Sequence, residues 1–310
     1  MPVPSEDNPG KVRVEGPALE VRGVTKAYDK KVAVDAVSFT VEPGETFGLL
    51  GPNGAGKSSL IRMVMDILRP DSGEIRVLGQ ALSPALKQKI GYLPEERGLY
   101  QRQRLGEVLQ FLGELKGLSR HVASRRAESY LDRVGLLSEK RKRMRQLSKG
   151  MQQKAQIAAV LLSEPEILIL DEPFEGLDPV NRVLVTDLMK ECAARGAAIV
   201  LSSHRMDQVE ALCRKVFLID HGREVLSGDV RDIKGRFADQ AVLLECDRDV
   251  SARPEVERLA ADGAAVRLWL KPEATPEKLL AALVAEGARV RRFERALPSL
   301  DEIFVKVVRR

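Results

Sequence analysis

Between residues 18 and 50 short β-like stretches recur, among them Leu19-Glu20-Val21 and Val37-Ser38-Phe39-Thr40-Val41, with Pro43-Gly44 as a turn. This predicts an antiparallel entry region. Thr46-Phe47-Gly48-Leu49-Leu50 then runs into a glycine-rich turn, and Ser59 to Met65 follows with helical character, so the order is strand, loop, helix. Asp71-Ser72-Gly73 reads as a turn ahead of a short strand, Glu74 to Leu78. From 104 to 134 the period changes: Leu105, Val108, Leu109, Leu112 and Leu115 recur at steps of three and four, as one face of an amphipathic helix does. Ile167 to Leu170 and Ala197 to Leu201 are short, wholly apolar runs separated by a helix-like segment, 180–195. That is the pattern of parallel strands buried on both faces.

After Gly228 the character shifts. Ala241 to Glu245 and Val266 to Leu270 read as strands, and Pro276 to Ala285 as a helix with Thr275 at its N-cap and Pro276 at its first position. Ser299-Leu300-Asp301-Glu302 has capping-box spacing and opens a last helix, Asp301 to Val308. The chain therefore divides into an α/β domain over 18–232, with a helical part over about 99–155, and a small α+β domain over 235–310. Trp269 and Phe304 are expected in the core of the smaller domain. Residues 1–17 mix acids, prolines and glycines without the apolar centre of a secretory signal, and read as a mobile leader.

With 310 residues the chain is long enough for two domains, and 44% apolar with 31% charged residues is an ordinary globular balance. Every apolar run is far shorter than the roughly 18–20 residues of a membrane-spanning helix. Cys192, Cys213 and Cys246 are odd in number and widely spaced, which fits reduced thiols better than a disulfide or zinc framework. The net charge of +5 admits nucleic acid or an anionic membrane surface as a partner. It is concentrated locally. Residues 116–154 hold 12 Lys/Arg against Glu128, Asp132 and Glu139, centred on Lys140, Arg141, Lys142, Arg143 and Arg145. The plain reading of that patch is a solvated helix and turn. No aromatic residue lies between Leu131 and Ile169, so the patch lacks a stacking platform and nucleic acid is not expected.

Gly51-Pro52-Asn53-Gly54-Ala55-Gly56-Lys57-Ser58, followed by Ser59, matches the phosphate-binding pattern G-x-x-x-x-G-K-[ST]. Glycines let backbone N–H groups turn toward phosphate oxygens, Lys57 can reach the β- and γ-phosphates, and the Ser58 hydroxyl can ligate Mg²⁺. The helix that follows points its positive end at the same anion. In Ile167-Leu168-Ile169-Leu170-Asp171-Glu172 a buried strand ends in two adjacent carboxylates. Asp171 is expected to hold Mg²⁺ and Glu172 to orient the attacking water as general base.

These motifs, in this order, resemble the ATP-binding-cassette (ABC) ATPases over residues 18–232. Leu147-Ser148-Lys149-Gly150-Met151 resembles the family's signature, normally LSGGQ; Gly176-Leu177-Asp178-Pro179 resembles the D-loop, and Ser202-Ser203-His204 the strand end with the switch histidine. Tyr28 corresponds to the aromatic that stacks on adenine, although an aromatic in an early hairpin is often core. The resemblance implies a RecA-like core with an antiparallel β region and a helical subdomain. It also implies ATP and Mg²⁺ as cofactors, and a head-to-tail dimer in which Ser148 and Gly150 of one subunit face the γ-phosphate held by the other. Asp178 would couple the two sites, and His204 would contact the γ-phosphate and hold Glu172. Glu95 stands where the family usually has glutamine, and is expected on the metal side of the site. Lys149 and Met151 replace Gly and Gln, while Ser148 and Gly150 are kept.

The variants YLPEERGLY and LSKGMQQK, with Ser299 to Phe304 near the C-terminus, resemble the ATPase subunits of ABC-2-type exporters, in particular the NatA-like, sodium-extruding branch. What this implies is an ATPase on the cytoplasmic face of the membrane, docked through ABC-2-type permease subunits that hold the substrate site, as a homodimer or heterodimer. The alternative is a soluble ABC ATPase of translation or DNA repair. Against it stand a single P-loop and the lack of sustained heptads between Lys57 and Leu147.

Overall fold

The structure, a computed structural model, describes residues 16–29, 31–96 and 100–308. The leader expected over 1–17 lies, but for its last two residues, outside the described residues. Contacts divide the chain into two compact units, Met1–Ser227 and Gly228–Arg310.

The first unit opens with the antiparallel pair β1 (Leu19–Tyr28) and β2 (Lys31–Val41), then β3 (Thr46–Leu50), the glycine loop and α1 (Lys57–Val64). Next come β4 (Ser72–Val77), β5 (Gln80–Ala81), α2 (Pro84–Gln88) and β6 (Ile90–Leu93). Three helices follow, α3 (Leu105–Leu115), α4 (Arg120–Arg133) and α5 (Lys149–Leu161). The chain then returns through β7 (Ile167–Asp171), α6 (Pro179–Ala194), β8 (Ala198–Ser203), α7 (Met206–Leu212), β9 (Lys215–Asp220) and β10 (Arg223–Asp229).

One sheet has the order β2-β1-β4-β5 and the other β10-β9-β3-β8-β7-β6. In the second, β9, β3, β8, β7 and β6 pair in parallel. Every residue of β7 and β8 is buried, which is why both strands read as unbroken apolar runs. A shared core joins the two sheets to α1: Phe39 stacks on Phe47 at 5.1 Å between centroids and sits 5.4 Å from Phe217, among Val21, Val34 and Leu60. The parallel strands thus aim the ends of β3, β7 and β8 at one edge, where open α/β sheets carry their ligands.

Two expectations change in this unit. Asp71-Ser72-Gly73 is not a free-standing turn, because Ser72 and Gly73 already belong to β4. A Cβ on Gly73 would lie 2.4 Å from the carbonyl oxygen of Gly23, so the glycine serves a close approach of β4 to β1. The apolar stripe from Leu105 also does not continue through 134: α3 ends near Gly117, which has φ +86°, and Leu115 is 59% exposed. Gly113 sits against Ala123 of α4, so the buried seam runs through Leu105, Val108, Leu109 and Gly113 instead.

In the second unit α8 (Val230–Arg236) precedes β11 (Ala241–Cys246), β12 (Val256–Asp262), β13 (Ala265–Leu270), α9 (Pro276–Ala285), β14 (Val290–Arg295) and α10 (Leu300–Val308). The sheet order is β12-β13-β11-β14, with antiparallel neighbours. Val242, Leu244, Leu268 and Leu270 form its core with Leu279 and Leu283 of α9. Thr275 caps α9 by accepting the Lys278 N–H at 3.3 Å. The capping box is reciprocal: Ser299 Oγ accepts from Glu302 N at 3.2 Å and Glu302 Oε2 from Ser299 N at 2.8 Å. Trp269 and Phe304 are half-buried rather than core. The Arg258 guanidinium covers the Trp269 ring at 3.7 Å, and Ile303 takes the buried place on α10. The edge strands β12 and β14 are mostly exposed and carry several charges, so neither shows apolar alternation in the sequence.

Candidate active site

β3 lies between β9 and β8, and the loop from Gly51 to Gly56 turns from its end into α1. Two glycines make this turn possible. A Cβ on Gly51 would meet the Ile219 carbonyl oxygen at 2.2 Å, and one on Gly56 the Ala33 carbonyl oxygen at 2.4 Å, with φ +157° and +115° respectively. Lys57 is buried, and its Nζ donates to the carbonyls of Gly51 at 2.6 Å and Pro52 at 3.1 Å. Burial pulls its pKa down, while the charges of Glu172, Asp171 and Glu95 pull the other way. No acidic residue occupies the first turn of α1, so the helix itself does not offset its positive end.

A cavity of about 680 Å³ opens on this loop. Asn53, Gly54, Gly56, Lys57, Ser58 and Ser59 line it, together with Tyr28, Glu95, Asp171 and Glu172. Tyr28 ends β1, is 44% exposed, and brings its hydroxyl to 3.5 Å from Ser59 Oγ. Gly51, Pro52 and Ala55 shape the loop from behind the lining.

Asp171 is the last residue of β7 and is buried. Burial pushes its carboxyl pKa up, the charges of Glu95 and Glu172 add to that, and Lys57 opposes it. Glu172 has φ +49°, a left-handed conformation that costs a residue with a Cβ something on the order of 1–3 kcal/mol. Its carboxylate is held at both oxygens: Ser203 Oγ donates to Oε2 at 3.0 Å, and the His204 N–H donates to Oε1 at 2.8 Å. His204 Nδ1 is 2.7 Å from the same Oε1. Register explains the meeting. β7 and β8 pair with Asp171 opposite Ser202, so the next residues of each strand end face one another. His204 rests against the Glu172 carboxylate and does not line the cavity.

The remaining candidate residues sit apart from this cavity. Ser148 is the N-cap of α5 and accepts the Met151 N–H at 3.2 Å. Gly150 faces the Gly176 carbonyl, 3.1 Å from where a Cβ would be. Asp178 is the N-cap of α6, accepting from Asn181 N at 2.9 Å and Asn181 Nδ2 at 2.6 Å, and these bonds hold its pKa low. None of Ser148, Gly150 and Asp178 lines the cavity. Sequence reasoning missed Lys31, Val32, Ala33, His221 and Gly222, which do. Gly222 closes the back of the loop, donating to the Ala55 carbonyl at 2.9 Å and accepting from Asp35 N at 2.8 Å. The apolar run Val216 to Ile219, stopped by a His-Gly pair, was the available sign of a strand ending here.

The ABC transporter family matches residues 34–175, and the C-terminal domain of DrrA1-3-like ATP-binding proteins matches residues 228–308. The ABC transporter ATP-binding protein YhaQ of Bacillus subtilis (strain 168) is 37% identical over 295 residues, 94% of this chain and 98% of that protein. The chain belongs to the ABC transporter ATP-binding proteins. Like the rest of this family it binds ATP and hydrolyses it. Nod factor export ATP-binding protein I of Rhizobium sp. (strain N33) is 34% identical over 308 residues, 94% of this chain and 97% of that protein. A solved structure of an ATP-binding subunit of an ABC transporter superposes with a TM-score of 0.67 at 34% identity, over 71% of this chain and 93% of that one. Among the described residues no helix of this ABC subunit is long and apolar enough to cross a membrane.

Proposed function

We propose that this ABC ATPase powers export across a membrane by hydrolysing ATP in the cavity above α1. The observation that carries the chemistry is that one cavity gathers Tyr28, the loop with Lys57, Ser58 and Ser59, and the carboxylates Glu95, Asp171 and Glu172. Glu172, fixed at both oxygens by Ser203 and His204, has the geometry of a general base: it takes the proton of a water as that water attacks the γ-phosphorus and the bond to the β,γ-bridging oxygen breaks, releasing ADP and phosphate. Lys57 exchanges the Gly51 and Pro52 carbonyls for phosphate oxygens and offsets the charge that develops on them. Tyr28 offers its exposed ring to the adenine.

Mg²⁺ suits this donor set. Three carboxylates share the cavity with Lys57 and Lys31, Asp171 is buried and disfavours its own charge, and the Ser58 hydroxyl is close by on the loop. Such hard oxygens, one or two of them carboxylates, are what Mg²⁺ takes alongside phosphate. Ser58, Asp171 and Glu95 would hold it, and bound there it neutralises phosphate charge. Ser148 and Gly150 stand away from their own chain's cavity, which supports a head-to-tail dimer in which each completes the partner's site, with Asp178 between the two.

The export reading rests on likeness to the Nod factor export protein over nearly its whole length and on the DrrA-like C-terminal domain. Its narrower form is an ABC-2-type exporter of the NatA-like, sodium-extruding branch, supported by the motif variants at 92–100 and 147–154. The partner is then a permease, with this ATPase on the cytoplasmic face. An exposed aromatic pair in the helical stretch, Tyr100 and Phe111 with centroids 5.7 Å apart, offers apolar surface for such a partner. Co-expression with an ABC-2-type permease tests the reading. Co-purification of the two, with ATP-dependent sodium movement into inverted vesicles, is expected; a chain that purifies with ribosomes or DNA instead contradicts it.

A further inference from the structure

Gln153 lies just past the first turn of α5 and is only 3% exposed, an unusual place for a glutamine. Its Nε2 donates to the Pro173 carbonyl at 3.0 Å. Pro173 directly follows Glu172, and its ring fixes φ, so one backbone rotation fewer separates this carbonyl from Glu172. A second contact lies nearby, where Gly150 leaves room for the Gly176 carbonyl. The helix α5 therefore grips the 172–178 segment at two points.

We infer that Gln153 is a positioning residue for Glu172. Its hydrogen bond sets the path of the backbone just beyond Glu172, while Ser203 and His204 fix the carboxylate at the other end. Between these two anchors the left-handed backbone of Glu172 is held in place, and any shift of α5 reaches the carboxylate through Pro173. The inference rests on the reading of Glu172 as general base.

The test is steady-state ATP hydrolysis by the full chain with Mg²⁺, comparing Gln153→Met, Gln153→Glu and Glu172→Gln with the parent between about pH 6 and 8.5, where a buried glutamate titrates. Gln153→Met is expected to lower kcat by about tenfold or more, because a misplacement near 1 Å can cost about a hundredfold. KM for ATP stays within about twofold, since Gln153 does not line the cavity. Gln153→Glu puts a second acceptor against the Pro173 carbonyl when ionised and regains a donor when protonated. Its kcat relative to the parent should therefore rise as pH falls, while the ratio for Gln153→Met stays flat. An inactive Glu172→Gln beside a Gln153→Met of unchanged kcat overturns the inference alone. A pH-independent ratio for Gln153→Glu does the same, and remains readable if Gln153→Met fails to fold. Retained turnover in Glu172→Gln overturns the general-base reading itself.

Discussion

Asp171 illustrates what the site asks of a single residue. A carboxyl whose pKa in the folded chain lies above its ordinary value of 3.8 holds its proton more readily folded than unfolded. Folding stability of the ATP-free protein therefore falls as pH rises from that ordinary value through the folded one, and the deficit persists at neutral pH. Asp171→Asn should raise the Tm of the ATP-free protein at pH 7 and cut Mg²⁺-dependent turnover about a hundredfold or more, as loss of a phosphate-side charge group does. Thermal melts beside an ATPase assay check both; a lower Tm with turnover retained contradicts it. At this scale the motif was open to reading. Lys57, Ser58, Asp171 and Glu172 announce themselves by spacing, whereas Ser203 reaches Glu172 only through the register of β7 on β8. His221 lines the cavity because β9 ends beside the loop; the sequence marks the strand's end but not which strand it lies against.

Among elements, the parallel strands β7 and β8 and the capped helices α9 and α10 were legible because burial on both faces and N-cap chemistry both leave a compositional trace. The charged edge strands β12 and β14 leave none. The basic patch is the element most altered by structure. Lys116 turns inward to the Lys87 and Ile90 carbonyls, and Arg126, Arg133, Lys140 and Lys142 pair with Glu164, Glu191, Glu128 and Glu139. Two of these acids, Glu164 and Glu191, lie outside residues 116–154, so the local excess of charge is smaller than the sequence window implies. Arg141, Arg143 and Arg145 remain exposed between α4 and α5. Each basic residue near an anionic surface contributes about 1 kcal/mol, so replacing these three with Gln should weaken binding to phosphatidylserine vesicles on the order of a hundredfold. Unchanged vesicle binding in a sedimentation assay would return the patch to an ordinary solvated face.

For the whole molecule, the division of the site residues is the main structural fact. Tyr28, Lys57, Ser58, Ser59, Glu95, Asp171 and Glu172 share a cavity, while Ser148, Gly150 and Asp178 stand at the N-terminal ends of α5 and α6. If these ends complete the site of a second copy, Ser148→Arg and Glu172→Gln chains should each be inactive alone. Mixed, they should regain activity, since the pairing leaves one site with both Glu172 and Ser148 intact. Turnover in the mixture no greater than in either variant would break the head-to-tail arrangement.

The proposed role of Glu172, activating water for ATP hydrolysis in the cavity above α1, is open to a single comparison. ATP affinity and turnover of the full-length Glu172→Gln chain should be measured together. Affinity within about twofold of the parent and turnover reduced about a hundredfold or more, the scale expected for losing a positioned general base, is the predicted result. Turnover that survives the substitution would rule out Glu172 as the general base.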